Sequence, residues 1–199
     1  MRRLLAVAVL LLLSACASTG VPRAVPVGNT VRVETPTPSG PRFVGSAAVL
    51  RVSRDCDVVA LTAKHVTEVG TLQVRGVEVV VYPHESADLA RIEFKLPACD
   101  GLRNVRIGTA QEGDGIYSTG FVTSTVMTSV HRGFYFPSPV PGRPTEVVLP
   151  VAAYFGMSGG GVYLDSGELI GLVVGGWPEF TSMSRVVLLT PETLAGVGV

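Results

Sequence analysis

Short apolar runs alternate with turn-forming residues over most of the 199-residue chain. Phe43 to Val52 is predominantly apolar and predicts a core strand. Val58 to Thr62 is apolar and rich in β-branched residues, the pattern of a buried strand, and the turn Arg54-Asp55-Cys56-Asp57 separates the two. Thr71 to Val74 and Gly76 to Tyr82 predict a hairpin, Leu89 to Phe94 a further strand and Arg103 to Ile107 another. Beyond Gly113, strands are predicted over Thr123 to His131, Val147 to Leu149, Gly161 to Leu164, Leu169 to Val174 and Arg185 to Leu189. Turns fall at Asp165-Ser166-Gly167 and Gly175 to Glu179. Arg132 to Glu146 holds four prolines and two glycines and reads as a loop. Thr190-Pro191-Glu192 combines a capping threonine, a proline at the first helical position and an acid in the first turn, which predicts a short terminal helix. With 23 glycines, 14 prolines and few long helical patterns, the fold class is all-β.

The first forty residues read differently. Arg2 and Arg3 precede the apolar run Leu4 to Leu13, too short to span a bilayer, and this is the pattern of a secretion signal. Ala17 to Pro41 carries five prolines and no strong period, which predicts a tether. Within it Val31-Arg32-Val33-Glu34 alternates and is suited to dock as an extra strand. Hydrophobic residues make up 47% of the chain, ample for a packed core. The formal charge of zero argues against nucleic acid as the main partner, since a basic face would normally be evident.

Candidate chemistry centres on Gly156-Met157-Ser158-Gly159-Gly160-Gly161. A serine hydroxyl needs a neighbouring base to become a nucleophile and backbone N–H groups to receive the oxyanion. Glycines allow the sharp turn and close approach that this requires. Ser158 would attack, with the N–H groups of Gly156 and Ser158 as the oxyanion hole; a glycine-rich turn with an incidental serine is the plain alternative. The three histidines, His65, His84 and His131, all precede Ser158, whereas an α/β-hydrolase needs its histidine after the serine. The order left is His, Asp, Ser.

Leu61-Thr62-Ala63-Lys64-His65-Val66, Ala87-Asp88-Leu89-Ala90 and the Ser158 turn together resemble the T-A-x-H, D-[IL]-A and G-x-S-G-G motifs of the chymotrypsin/trypsin-like serine peptidases. Two further stretches resemble the family. Gly45-Ser46-Ala47-Ala48-Val49-Leu50 is similar to its G-S-G-x-x-[IV], and Gly113 to Phe121 to the opening of its second barrel. The likeness runs from about Phe43 to the end. It implies two antiparallel six-stranded β-barrels, over residues 42–110 and 111–199, behind a signal peptide (1–15) and a tether (16–41). It assigns His65 as base, Asp88 as its orienting acid and Ser158 as nucleophile. His84 is a rival base, ordinarily a solvated surface histidine, and His131 is read as structural or exposed. By the same resemblance Ala152 is the base of the substrate pocket and Val174, Gly175 and Gly176 its opposite wall. No acid sits at those places, so a small or medium apolar P1 side chain is expected.

Departures from the family pattern matter too. Met157 stands where trypsin-like enzymes often carry the aspartate that pairs with a freed N-terminus, which implies a protease competent without activation cleavage. Val66 stands where many members have a cysteine. Cys56 and Cys99 are an even pair in an oxidising compartment, suited to a disulfide, with two free thiols as the alternative. Leu13-Ser14-Ala15-Cys16 resembles the bacterial lipobox, implying lipidation of Cys16; ordinary cleavage near Ala15 or Ala17 is the alternative. Ala17 in place of Asp points to the outer membrane, facing the periplasm. The expected protein is therefore a lipid-anchored serine endopeptidase of a bacterial cell envelope, whether encoded by bacterium or phage. Its partners are a protein or peptide substrate and the membrane, with no nucleic acid. The alternatives are a catalytically silent, protease-like binding module of the envelope, or an esterase using the same triad. The scattered histidines offer no metal-ligand spacing, so no metal is expected, and no cofactor.

Overall fold

A computed structural model describes residues 27–122, 128–177 and 180–199. The predicted signal peptide, Cys16 and most of the predicted tether lie outside them.

The first half of the chain makes a seven-stranded antiparallel sheet. Its strands are β1 (Thr30–Thr35), β2 (Arg42–Val52), β3 (Asp57–Thr62), β4 (Gln73–Val74), β5 (Val77–Glu78), β6 (Val80–Pro83) and β7 (Ala90–Lys95), in the order β5-β4-β1-β2-β3-β7-β6. The second half makes another, with β8 (Gly115–Phe121), β9 (Thr128–Phe134), β10 (Ser138–Val140), β11 (Arg143–Leu149), β12 (Gly161–Leu164), β13 (Leu169–Trp177) and β14 (Phe180–Leu188), in the order β10-β11-β14-β13-β12-β8-β9. The sheets curl into a barrel and a half-barrel, followed by the short helix α1 (Pro191–Ala195). This is the all-β double barrel that the resemblance implies, with seven strands in each sheet where six are expected.

Three differences have physical causes. The alternating segment 31–34 is the centre of β1, which pairs along β2 from Thr30↔Ala48 to Thr35↔Arg42. Val31 and Val33 are buried in the core, and that burial recruits the segment to the sheet despite its Pro-rich surroundings. The Pro-rich stretch expected as a loop instead forms the end of β9 and the hairpin β10–β11. Its prolines are tolerated because β10 is an edge strand and the ladder shifts register between Pro139 and Val140. Residues 103–107 do not form a strand. They run between the sheets: Val105 N–H donates to the Leu50 carbonyl, Leu169 N–H to the Arg106 carbonyl, and Ile107 makes a single parallel bridge to Leu169.

Two apolar clusters fill the fold. The first packs β1–β3 and β7 and continues into the second sheet through Tyr117, Tyr163 and Leu172. The second lies within the C-terminal half around Ile116, Leu149, Met157 and Val173. Tyr117 and Tyr163 stack with ring centroids 5.4 Å apart. Beside them Thr30 of β1 and Thr119 of β8 share a 2.6 Å hydroxyl–hydroxyl bond that ties the two halves together. Cys56 and Cys99 form a disulfide with Cα atoms 5.5 Å apart. Thr190 caps α1, accepting from the Thr193 N–H.

Candidate active site

Strand register brings the proposed base and acid together. β3 and β7 pair through Thr62↔Ala90. His65 lies three residues past that pair, in the 3-10 turn Lys64–Val69, and Asp88 two residues before it. Both therefore emerge at the same end of this strand pair, although they are 23 residues apart in sequence. His65 Nδ1 lies 2.8 Å from Asp88 Oδ2, and the His65 backbone N–H donates to Asp88 Oδ1 at 3.0 Å. The Asp88 side chain is 17% exposed. Burial pushes its carboxyl up, but the hydrogen bonds and charge of His65, with Arg185 beyond, outweigh this and hold it below the ordinary value. An ionised carboxylate on Nδ1 leaves Nε2 as the nitrogen able to take a proton.

His84 is placed otherwise. Its Nδ1 accepts from the N–H groups of Ser86 at 3.1 Å and Ala87 at 3.0 Å, and its own N–H donates to the Leu89 carbonyl at 2.8 Å. The ring thus shapes the loop that carries Asp88 and does not pair with the carboxylate. His131, on β9, packs against Tyr154 with centroids 5.0 Å apart, and burial lowers its pKa.

The serine turn follows β11. Met157 is fully buried in the second cluster and anchors it. Gly156 and Gly159 take φ of 97° and 83°, in the left-handed region that favours glycine. A Cβ on Gly159 would also meet the Ser46 carbonyl and Thr62 Oγ1. The turn's peptide groups are held one by one. Met157 N–H donates to the Tyr154 carbonyl (3.0 Å), Gly160 N–H to Met157 (2.8 Å) and Gly159 N–H to Val173 (2.7 Å). The Ser158 carbonyl accepts from Ser46 N–H at 2.8 Å, and the Gly156 carbonyl accepts from Ser46 Oγ at 2.9 Å. The N–H groups of Gly156 and Ser158 are left over. Neither donates to a described residue.

Ser46 is a residue whose role sequence reasoning missed. It is fully buried, and its hydroxyl also accepts from Phe121 N–H at 2.9 Å. Its carbonyl accepts from Thr62 Oγ1 at 2.7 Å, three residues before His65. One serine thus joins β3, β8 and the Ser158 turn. The letters that signal it, Ser46 and Thr62, sit inside the two motifs, but nothing in their spacing shows that they bond.

Ser158 and His65 line one cavity of about 390 Å³. The Ser158 hydroxyl makes no hydrogen bond to a described residue, His65 included. Gly175 and Gly176 also line the cavity, with Ala153, Tyr154 and Val173. Ala152 and Val174 do not: the Ala152 carbonyl accepts from Ser118 Oγ at 3.3 Å, and Val174 is buried in the core. No group of three or more His, Cys, Asp or Glu side chains suited to a metal occurs among the described residues.

No protein-family model matches the chain, and no curated protein matches it in sequence. Solved structures do match in shape. A serine endoprotease from Yersinia pestis is 19% identical with a TM-score of 0.63 over 81% of this chain. The HtrA-type protease AlgW bound to a decapeptide is 17% identical with a TM-score of 0.65, over 89% of this chain and 74% of its own. AlgW with a tripeptide is 19% identical with a TM-score of 0.66, over 85% of this chain and 58% of its own. The chain spans 59% of the length of the Yersinia protein. With its curled antiparallel sheets joined through a shared core, the chain has the fold of the trypsin-like, HtrA-type serine proteases.

Proposed function

We propose that the chain is a serine endopeptidase. Ser158 attacks the peptide carbonyl, His65 takes its proton and returns it to the leaving amine, and Asp88 holds the imidazole. The oxyanion sits on the Gly156 and Ser158 N–H groups. The observation that carries this reading is the selective bonding of the turn: the surrounding peptide groups are engaged, while the two N–H groups beside the hydroxyl are open. The missing Ser158–His65 bond is compatible with this reading, since catalytic bonds are often loose in empty enzymes.

That unmade bond favours a second reading, a protease-like module that binds peptides without turnover. Labelling with a fluorophosphonate decides between them. The wild type is expected to label, and Ser158→Ala and His65→Ala to lose labelling, since losing a triad member costs on the order of a million-fold in turnover. Absence of labelling in the folded wild type sinks the peptidase reading.

The cavity beside Ser158 has no acidic lining residue, and its glycine wall leaves space. Cleavage after small or medium apolar residues is expected; mainly basic P1 residues in a digested peptide mixture would contradict this. We place the enzyme in the bacterial envelope, held by a lipid on Cys16 in the outer membrane.

A further inference from the structure

A second cavity, of about 460 Å³, opens on the other side of His65 and is lined by Lys64, Glu68, Asp88, Arg143 and Glu146. Its wall carries a shared ion pair. The Glu146 side chain is 4% exposed, with Oε1 2.9 Å from Arg143 Nη1 and Oε2 3.1 Å from Arg185 Nη1. The formal charges of these groups with Arg185 sum to zero, but their hydrogen-bonding capacity does not balance. Both oxygens of Glu146 and both of Asp88 are engaged. Arg143 commits one of its five donors to Glu146 and is half exposed. Lys64 commits one of three to the Glu85 carbonyl. Glu68 apart, the open capacity of the wall is therefore cationic donors. Glu68, on the exposed rim, is the lining carboxylate without a partner among the described residues.

The cavity borders the one that holds Ser158. Arg185 lies against Gly175, where a Cβ would come within 2.8 Å of Nη2, and Gly175 lines the Ser158 cavity. His65 lines both. A side chain next to His65 in a peptide seated at Ser158 therefore faces this cavity as well as the first.

We propose that this second cavity is a substrate subsite for an acidic side chain, held by Arg143 and Lys64. A planar guanidinium with free N–H groups matches a carboxylate, and a lysine there would face two cations. The proposal rests on the endopeptidase reading, and the test separates the two. The full chain carrying Ser158→Ala, purified in detergent, is incubated with a random heptapeptide pool, and bound peptides are sequenced by mass spectrometry. Capture does not need turnover, so it stands apart from the fluorophosphonate result. Asp and Glu are expected to be enriched about tenfold over Lys at one position. Adding Arg143→Gln should remove most of that enrichment, and Arg143→Lys should keep part of it. Capture with no acidic preference, a preference that survives Arg143→Gln, or no capture above background overturns the subsite.

Discussion

Ser46 shows how one residue can matter to chemistry without touching a substrate. Its hydroxyl donates to the Gly156 carbonyl and its N–H to the Ser158 carbonyl, which holds the peptide groups that follow each of the two open donors. Ser46→Ala leaves the Phe121 N–H and Gly156 carbonyl unpaired in the core, a cost of about 1–3 kcal/mol. Activity should fall roughly 10- to 100-fold, in kcat more than KM, because oxyanion stabilisation is worth more in the transition state than in the ground state. Steady-state kinetics on a cleaved peptide checks this, and an equal rise in KM would point to lost binding instead. Asp88 carries a different expectation. A carboxyl held below its ordinary value stabilises the fold fully above about pH 4 and loses that contribution as pH falls through its lower folded value. In urea unfolding, the stability gap between wild type and Asp88→Asn should be constant from about pH 5 to 7 and narrow below about pH 4. The same variant should lower kcat by about 10⁴, through loss of the correct histidine tautomer.

At the scale of elements, alternation and turn residues marked most strands, and the errors follow one rule. Proline argued against strand over residues 132–146, yet an edge position and a register shift remove the penalty. Residues 103–107 looked like a strand, but their hydrogen bonds divide between β2 and β13 and leave no ladder. Local sequence does not say where an edge will be. The disulfide belongs to this scale, because the loop from Cys56 to Cys99 spans 43 residues and contains both His65 and Asp88. Closing such a loop is worth about 4 kcal/mol in the chain-entropy picture. Replacing both cysteines by serine should therefore lower the unfolding free energy by up to about that amount. Denaturant titration measures it, and a variant as stable as the wild type would show the bond to be idle.

For the whole molecule, the site lies where the two halves meet. The first sheet supplies His65 and Asp88, the second Ser158, and Ser46, Thr30 and Thr119 bond across the seam. Our placement in the envelope is a claim at this scale as well. Growth with a labelled fatty acid should tag the wild type and leave Cys16→Ser untagged; equal tagging, or none, would remove the lipid anchor from the proposal. The sequence alone determined the all-β class and most strand positions, and it named His65, Asp88 and Ser158 as candidates in that order. These follow from local periodicity, turn chemistry and short motifs, which are written along the chain. Only the tertiary structure decided that Ser46 clamps the nucleophile turn, that Ala152 and Val174 leave the cavity while Gly175 and Gly176 line it, and that Arg143 and Arg185 share Glu146. Those facts depend on strand register and on contacts between residues up to 112 positions apart, which spacing along a chain does not encode.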